Sequence, residues 1–250
     1  MARMKFMNTE IDNLTMNEAL ERIDTLIREK NSSYVVTPNV DHIVQLEKNQ
    51  ELRKIYANAA LVLVDGKPLL WIAKLYGTPI KEKISGSDLF PQLCGLASKK
   101  GYKMFFLGAA EGVAERAAAN LRRKNNGLAI VGTYSPPLGF ETNEKEMKKI
   151  EETVKKAAPD ILVVGLGCPK QERFMYCNSS RLGVPVSLGL GASFDFEAGM
   201  KKRAPRWMSN CGLEWFYRFL QEPRRMFRRY FVDDVKILFL IWRYRRGKNR

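Results

Sequence analysis

The stretch Ile161-Leu162-Val163-Val164-Gly165-Leu166-Gly167-Cys168-Pro169-Lys170-Gln171-Glu172 decides the fold. Four branched aliphatics in a row end on a glycine. A Gly/Pro loop follows, and then polar residues open an amphipathic run. A continuous apolar run this short suits a strand buried on both faces, leading through a tight loop into a helix. The same unit recurs in both directions. Tyr34–Thr37, Leu61–Val64, Lys103–Leu107, Ala129–Thr133 and Val184–Leu188 read as further strands. Helical patterns lie between them at Val40–Asn58, Ser87–Lys100, Gly112–Lys124, Asn143–Ala158 and Lys170–Ser180. Strand, helix and strand at this spacing require right-handed crossovers, so the expected architecture is α/β, a Rossmann-like, mainly parallel sheet flanked by helices. Asn8–Lys30 reads as an N-terminal helix, with Thr15 and Glu18 spaced as a capping box.

After Gly199 the pattern changes. Residues 201–250 hold 15 Lys/Arg against 4 Asp/Glu, a net +11 of the chain's +15. The same segment carries Trp207, Trp215, Phe216, Phe219, Phe227, Phe231, Phe239 and Trp242. Two helices are expected, Arg206–Gln221 and Pro223–Tyr244, with Pro223 at the first turn of the second. The division is therefore a catalytic unit over residues 1–200 and a basic, amphipathic helical appendage over 201–250. A segment both cationic and apolar matches an anionic membrane surface. Nucleic acid matches the charge, but the apolar run Ile237–Trp242 fits lipid better, so no nucleic-acid partner is expected. That run is too short to span a bilayer, and residues 1–10 contain no secretory pattern. The expected location is cytoplasmic, peripheral on the inner face of the membrane.

Ligands of such sheets bind beyond the carboxyl ends of the strands. Asp65 ends the run Leu61–Val64 and precedes a glycine. Apolar shielding there would raise its pKa and suit a general base, yet on spacing alone it reads first as a turn or helix-capping aspartate. Thr37 and Asn39 end the preceding strand, as groups for a polyhydroxyl ligand or as caps of the next helix. Gly108–Gly112 either offers backbone N–H groups to a phosphate or makes a tight turn. It is not G-x-G-x-x-G, which counts against a dinucleotide oxidoreductase. Cys94, Cys168, Cys177 and Cys211 form no CxxC pair, and His42 is the sole histidine, so no metal site and no cofactor are expected. Cys168, in its glycine loop, could line a pocket.

Thr37-Pro38-Asn39, Val64-Asp65-Gly66, Ser85-Gly86-Ser87-Asp88, Gly167 to Glu172, Gly191-Ala192-Ser193-Phe194-Asp195, Arg203-Ala204-Pro205 and Gly212-Leu213-Glu214-Trp215, in this order, resemble the WecG/TagA/CpsF glycosyltransferase family over most of the chain. The resemblance implies a membrane-associated inverting glycosyltransferase. In the TagA branch it would pass N-acetylmannosamine from a UDP-sugar donor to an undecaprenyl-diphosphate-linked N-acetylglucosamine acceptor, in wall teichoic acid synthesis. Other branches use the uronic acid or glucuronic acid. It assigns Asp65 as base, Thr37, Asn39 and Gln171 to the pocket, Asp195 to the nucleotide side, and Arg218, Arg225 and Arg228 of the appendage to the diphosphate. Lys83 stands where the family often has Arg, keeping the charge but losing the two-pronged hydrogen bond. Homo-oligomerisation is left open.

Overall fold

The computed structural model describes residues 3–248. An antiparallel hairpin, β1 (Met4–Phe6) and β2 (Thr9–Ile11), opens the chain and is followed by α1 (Met16–Glu29). The expected Asn8–Lys30 helix thus starts late. Met7 turns the chain at φ 51°, and Asn8 donates its side-chain amide to Ile43 O and Glu47. The capping box is where the sequence put it. Glu18 N donates to Thr15 Oγ1, and Thr15 N donates to Glu18 Oε2 at 2.7 Å.

The main body runs β3 (Ser33–Val36), α2 (Val40–Lys48), α3 (Gln50–Asn58), β4 (Leu61–Val62), α4 (Lys67–Leu75), α5 (Gly86–Lys100), β5 (Lys103–Gly108), α6 (Val113–Lys124), β6 (Ala129–Tyr134), α7 (Glu144–Ala157), β7 (Ile161–Gly165), α8 (Lys170–Leu182), β8 (Val186–Gly189) and α9 (Ser193–Glu197). The six strands β3 to β8 form one parallel sheet in the order β4-β3-β8-β7-β5-β6. Alternate strand residues feed two cores. Val35, Met104, Phe106, Val163 and Leu188 pack on one face, and Val36, Phe105, Leu107, Leu162 and Val164 on the other. Phe90, Phe106 and Phe194 meet edge to face, with centroids 5.3–5.4 Å apart, and fix α5 and α9 on the first face. The helix after β3 (α2) covers the second face, and the helix after β8 (α9) covers the first. Neighbouring strands whose loops part to opposite faces leave a crevice at their carboxyl ends.

Two helices differ from expectation. The Val40–Asn58 pattern is interrupted at Asn49, whose side chain accepts from Leu52 N and starts α3 afresh. Helix α4 follows Asp65-Gly66, where the sequence suggests only a loop; Pro68 sits in its first turn, and Leu69, Ile72 and Ala73 are its buried stripe.

The appendage comprises α10 (Arg206–Asn210), α11 (Glu214–Gln221), α12 (Pro223–Phe227), a π-helical turn (Arg228–Asp233) and α13 (Lys236–Lys248). Each of the two expected helices is therefore broken. Gly212 breaks the first: its φ is +76°, and a Cβ there would lie 2.6 Å from the Trp71 ring. The π turn breaks the second. The appendage folds back on the body. Leu240 is buried, with Ile237, Ile241 and Tyr244 packed beside it. Tyr76 donates its hydroxyl to Ile241 O at 3.0 Å. Arg243 and Tyr244 both reach Glu47 of α2. The apolar run Ile237–Trp242 thus splits, with Leu238, Phe239 and Trp242 facing outward. Among the described residues, no helix is long and apolar enough to cross a membrane.

The turn after β5 is structural rather than ligand-facing. Ala109 N donates to Gly165 O at 2.8 Å, and at Gly108 (φ +104°) a Cβ would lie 2.6 Å from that same carbonyl oxygen. Gly108→Ala therefore combines backbone strain with a clash against backbone. It should cost about 3 kcal/mol, read as a lowered urea midpoint with an unchanged m-value.

Candidate functional site

The crevice at the carboxyl ends of β3, β4 and β8 is a cleft of about 840 Å³. Its floor is made by Thr37, Asn39, Asp65, Gln171 and Gly189–Ser193, and its far wall by Glu214, Trp215, Arg218, Arg225, Arg229 and Tyr230 of the appendage. The appendage is therefore half of the site. Its wall is held by aromatic edges, with Trp215 against Tyr230 at 5.8 Å and Phe219 against Phe231 at 5.7 Å.

Asp65 sits in the floor, half-buried. Its backbone N–H donates to Pro38 O at 2.8 Å, tying the end of β4 to the loop after β3. It is not a helix cap, because Gly66 occupies that position in front of α4. Burial pushes its carboxyl up to about 6, and the neighbouring Glu214 carboxylate adds to this. Arg218, Lys83 and His42 pull the other way. The acid is thus neutral at mildly acidic pH and ionised above about 6.

Thr37 is buried, with its hydroxyl 3.5 Å from Gly189 O. Asn39 serves both readings. It caps α2 through His42 N, and it lines the cleft, where its Oδ1 accepts from Arg229 at 3.3 Å. Gln171 is buried and donates its amide nitrogen to Glu172 at 2.9 Å. Its Oε1 has no protein partner. Lys83 lines the cleft, held by Asp88 at 2.7 Å and facing Glu214 at 3.8 Å. Burial works against the charge on Asp88, but hydrogen bonds from Lys83, Ser85 and Arg203 outweigh it and hold the carboxyl at about 2. Arg218 lies over the Phe196 ring at 5.5 Å, an apolar seat for a guanidinium. Arg225 also lines the cleft, paired with Glu222 at 2.8 Å.

Two expected residues are not in this wall. Asp195 faces out of the cleft into an ion pair with Lys201 at 3.3 Å, while Phe196 of the same helix lines it. Arg228 is exposed and outside the lining. Arg229 stands in its stead, bound to Asn39 and 3.5 Å from Asp41. Arg228 and Arg229 lie three and four residues beyond Arg225, and contacts with Asn39 and Asp41 draw Arg229 inward.

The sequence also gave no sign of three groups that meet behind Asn39 and Gln171. The ligating atoms of His42, Cys168 and Glu172 all lie within 4.8 Å of one another. Cys168 and Glu172 are neighbours at the start of α8, but His42 lies far from both along the chain, and no spacing in the sequence joins it to them. Asp234, also in the lining, is raised to about 6 by burial, with Arg229 opposing.

A parallel sheet with a shielded carboxylate and several guanidiniums around one switch-point crevice is the arrangement of an α/β enzyme that handles an anionic substrate. The chain belongs to the WecG/TagA/CpsF glycosyltransferase family, whose model matches residues 4–250. It is 32% identical over 201 residues to a Bacillus spizizenii protein, covering 80% of this chain and 76% of that one. The match to a Bacillus subtilis protein is 30% over 199 residues, covering 80% and 75%. A Staphylococcus aureus protein is 27% identical over 229 residues, covering 91% and 88%. All three are named N-acetylglucosaminyldiphosphoundecaprenol N-acetyl-beta-D-mannosaminyltransferase.

Carbon-13 NMR of the Asp65 carboxyl should show titration near pH 6. Glu214→Gln removes a negative neighbour and should move the midpoint down, but not to the usual aspartate value, because burial remains the larger cause. An unmoved midpoint would show that Glu214 does not act on Asp65.

Proposed function

We propose that the chain is an inverting glycosyltransferase that moves N-acetylmannosamine from UDP-N-acetylmannosamine to undecaprenyl-diphosphate-linked N-acetylglucosamine, in assembly of the wall teichoic acid linkage unit. The names of its relatives supply the donor sugar and the acceptor. The observation that carries the chemistry is Asp65, a carboxylate raised to about 6 in the floor of a cleft whose opposite wall is cationic. Membership of a glycosyltransferase family displaces the oxidoreductase reading.

In this reading Asp65 takes the proton of the acceptor hydroxyl as its oxygen bonds to the anomeric carbon. The bond from that carbon to the diphosphate oxygen breaks, its electron pair leaves with UDP, and attack from the opposite face inverts the centre. Lys83, Arg218, Arg225 and Arg229 offset the charge that grows on the leaving diphosphate. The chain's own cations take the part that a metal clamp plays elsewhere, so the transfer step uses no cofactor. Thr37, Asn39 and Gln171 orient the sugars. Gln171 has given its N–H to Glu172, so its free carbonyl is an acceptor for a substrate N–H or O–H. Asp195 and Arg228 have no role in this scheme.

The appendage would hold the enzyme on the cytoplasmic leaflet. Phe231, Val235 and Leu238 line the cleft and are also exposed, and Phe227 and Phe239 continue the outward apolar surface. Such a rim suits a substrate whose reacting sugar sits in water while its polyprenyl end stays in lipid.

Asp65→Asn should lower kcat by about 10²- to 10⁴-fold with a short-chain lipid acceptor, measured as UDP release. The wild-type kcat/KM should climb with pH through an acid limb near 6, because only the ionised carboxylate accepts a proton. Near-normal turnover of the variant would remove Asp65 from the chemistry. Binding to vesicles rich in anionic lipid should fall sharply in Leu238→Ser/Phe239→Ser, two outward positions, and more at high salt. Unchanged flotation would end the membrane role of this face.

A further inference from the structure

We propose that His42, Cys168 and Glu172 form a site for one divalent metal ion of the zinc class, set in the wall of the cleft behind Asn39 and Gln171. The three side chains offer one nitrogen, one sulfur and one oxygen, all within 4.8 Å of one another. This donor set selects zinc or its neighbours over magnesium, which prefers oxygen alone. His42 Nε2 stands 3.5 Å from Glu172 Oε1. That is long for a hydrogen bond, and it is close to the separation of about 3.3 Å between two ligands held tetrahedrally at 2.0–2.1 Å from zinc.

The orientation of the ligands is fixed from behind. Asn39 Oδ1 accepts from Arg229 and from His42 N. His42 Nδ1 lies 2.7 Å from that oxygen and 3.3 Å from Asn39 N, so Asn39 holds the ring on its Nδ1 side. Nε2 is left 3.5 Å from Glu172 Oε1; a bound metal would take its lone pair, with the ring proton on Nδ1 donated to Asn39 Oδ1. Gln45 is fixed in the same way. Its amide nitrogen donates to Asp41 at 3.1 Å, which turns its oxygen toward Cys168 Sγ at 3.9 Å. That oxygen, or a water from the cleft, would complete four-coordination.

Charge gives an independent reason. Glu172 is 1% exposed, its Oε2 has no partner, and among the described residues no Lys or Arg pairs with it. A buried carboxylate whose one cationic neighbour is an imidazole 3.5 Å away is costly. A divalent ion with one thiolate, one carboxylate and a neutral imidazole sums to zero, with the thiol proton released to solvent on binding. His42 and Cys168 both line the cleft, which gives the ion a path in. Once bound, it would pin Asn39 through His42 and Gln171 through Glu172, stiffening the floor without touching the reacting atoms.

The test uses the full-length chain purified without a metal-affinity tag. Mass-spectrometric metal analysis and Co²⁺ titration in excess Mg²⁺ should both give one ion per chain. Cobalt should produce a thiolate-to-metal charge-transfer band in the near ultraviolet. The band should vanish in Cys168→Ser and persist in Cys177→Ser/Cys211→Ser, which removes the two exposed thiols. A chelator should lower the melting temperature of the wild-type chain, and Zn²⁺ should restore it; this arm does not depend on any variant folding. Failure to bind one ion, a cobalt band that survives Cys168→Ser, or a doubly protonated His42 imidazole paired with Glu172 in the nitrogen-15 spectrum at neutral pH would each overturn the proposal.

Discussion

Apolar burial on both faces of the sheet is the constraint from which the rest follows. Strands whose successive residues feed two different cores need helices on both sides. Each crossover must then return the chain to the same edge, so every strand ends at one rim. The loops after β3, β4 and β8 converge there, and the crevice opens where the helices after β3 and β8 part to opposite faces. The position of the site is thus a consequence of hydrophobic patterning far from it.

The electrostatics of that rim are built from opposed terms. Burial and Glu214 make it hard for Asp65 to ionise, while Arg218 and Lys83 make it easier. Lys83 is itself restrained by Asp88, whose strong acidity comes from Lys83, Ser85 and Arg203 together. The sheet and the appendage are therefore joined by charge as well as by the packing of Leu240 and its neighbours. A guanidinium seated on Phe196 and another bound to Asn39 are presented in fixed places, not as a diffuse cloud of positive charge.

The sequence made the sheet readable because runs such as Ile161–Gly165 have no other comfortable environment. The Thr15/Glu18 box was readable because its chemistry is local. Asp65, Thr37, Asn39 and Gln171 were placed at the correct rim by the strand ends alone. What escaped was decided by longer-range partners. The choice of Arg229 over Arg228 depends on Asn39 and Asp41, at the start of a helix far off in the chain. Asp195 is taken by Lys201, a pairing that no spacing announces. Helix α4 hid behind an Asp-Gly-Lys-Pro turn signal. The meeting of His42 with Cys168 and Glu172 joins α2 to the loop after β7 and the first turn of α8, a contact that exists only once the sheet has brought those loops to one edge.

The far wall of the cleft has a consequence in time. Synthesis delivers every strand of the sheet, and the acid in its floor, before it reaches Glu214, Arg218, Arg225 and Arg229. Only when the closing helices emerge and settle on α2 are the cations in place. In the order of synthesis competence therefore comes last, with the wall that the final fifth of the chain supplies.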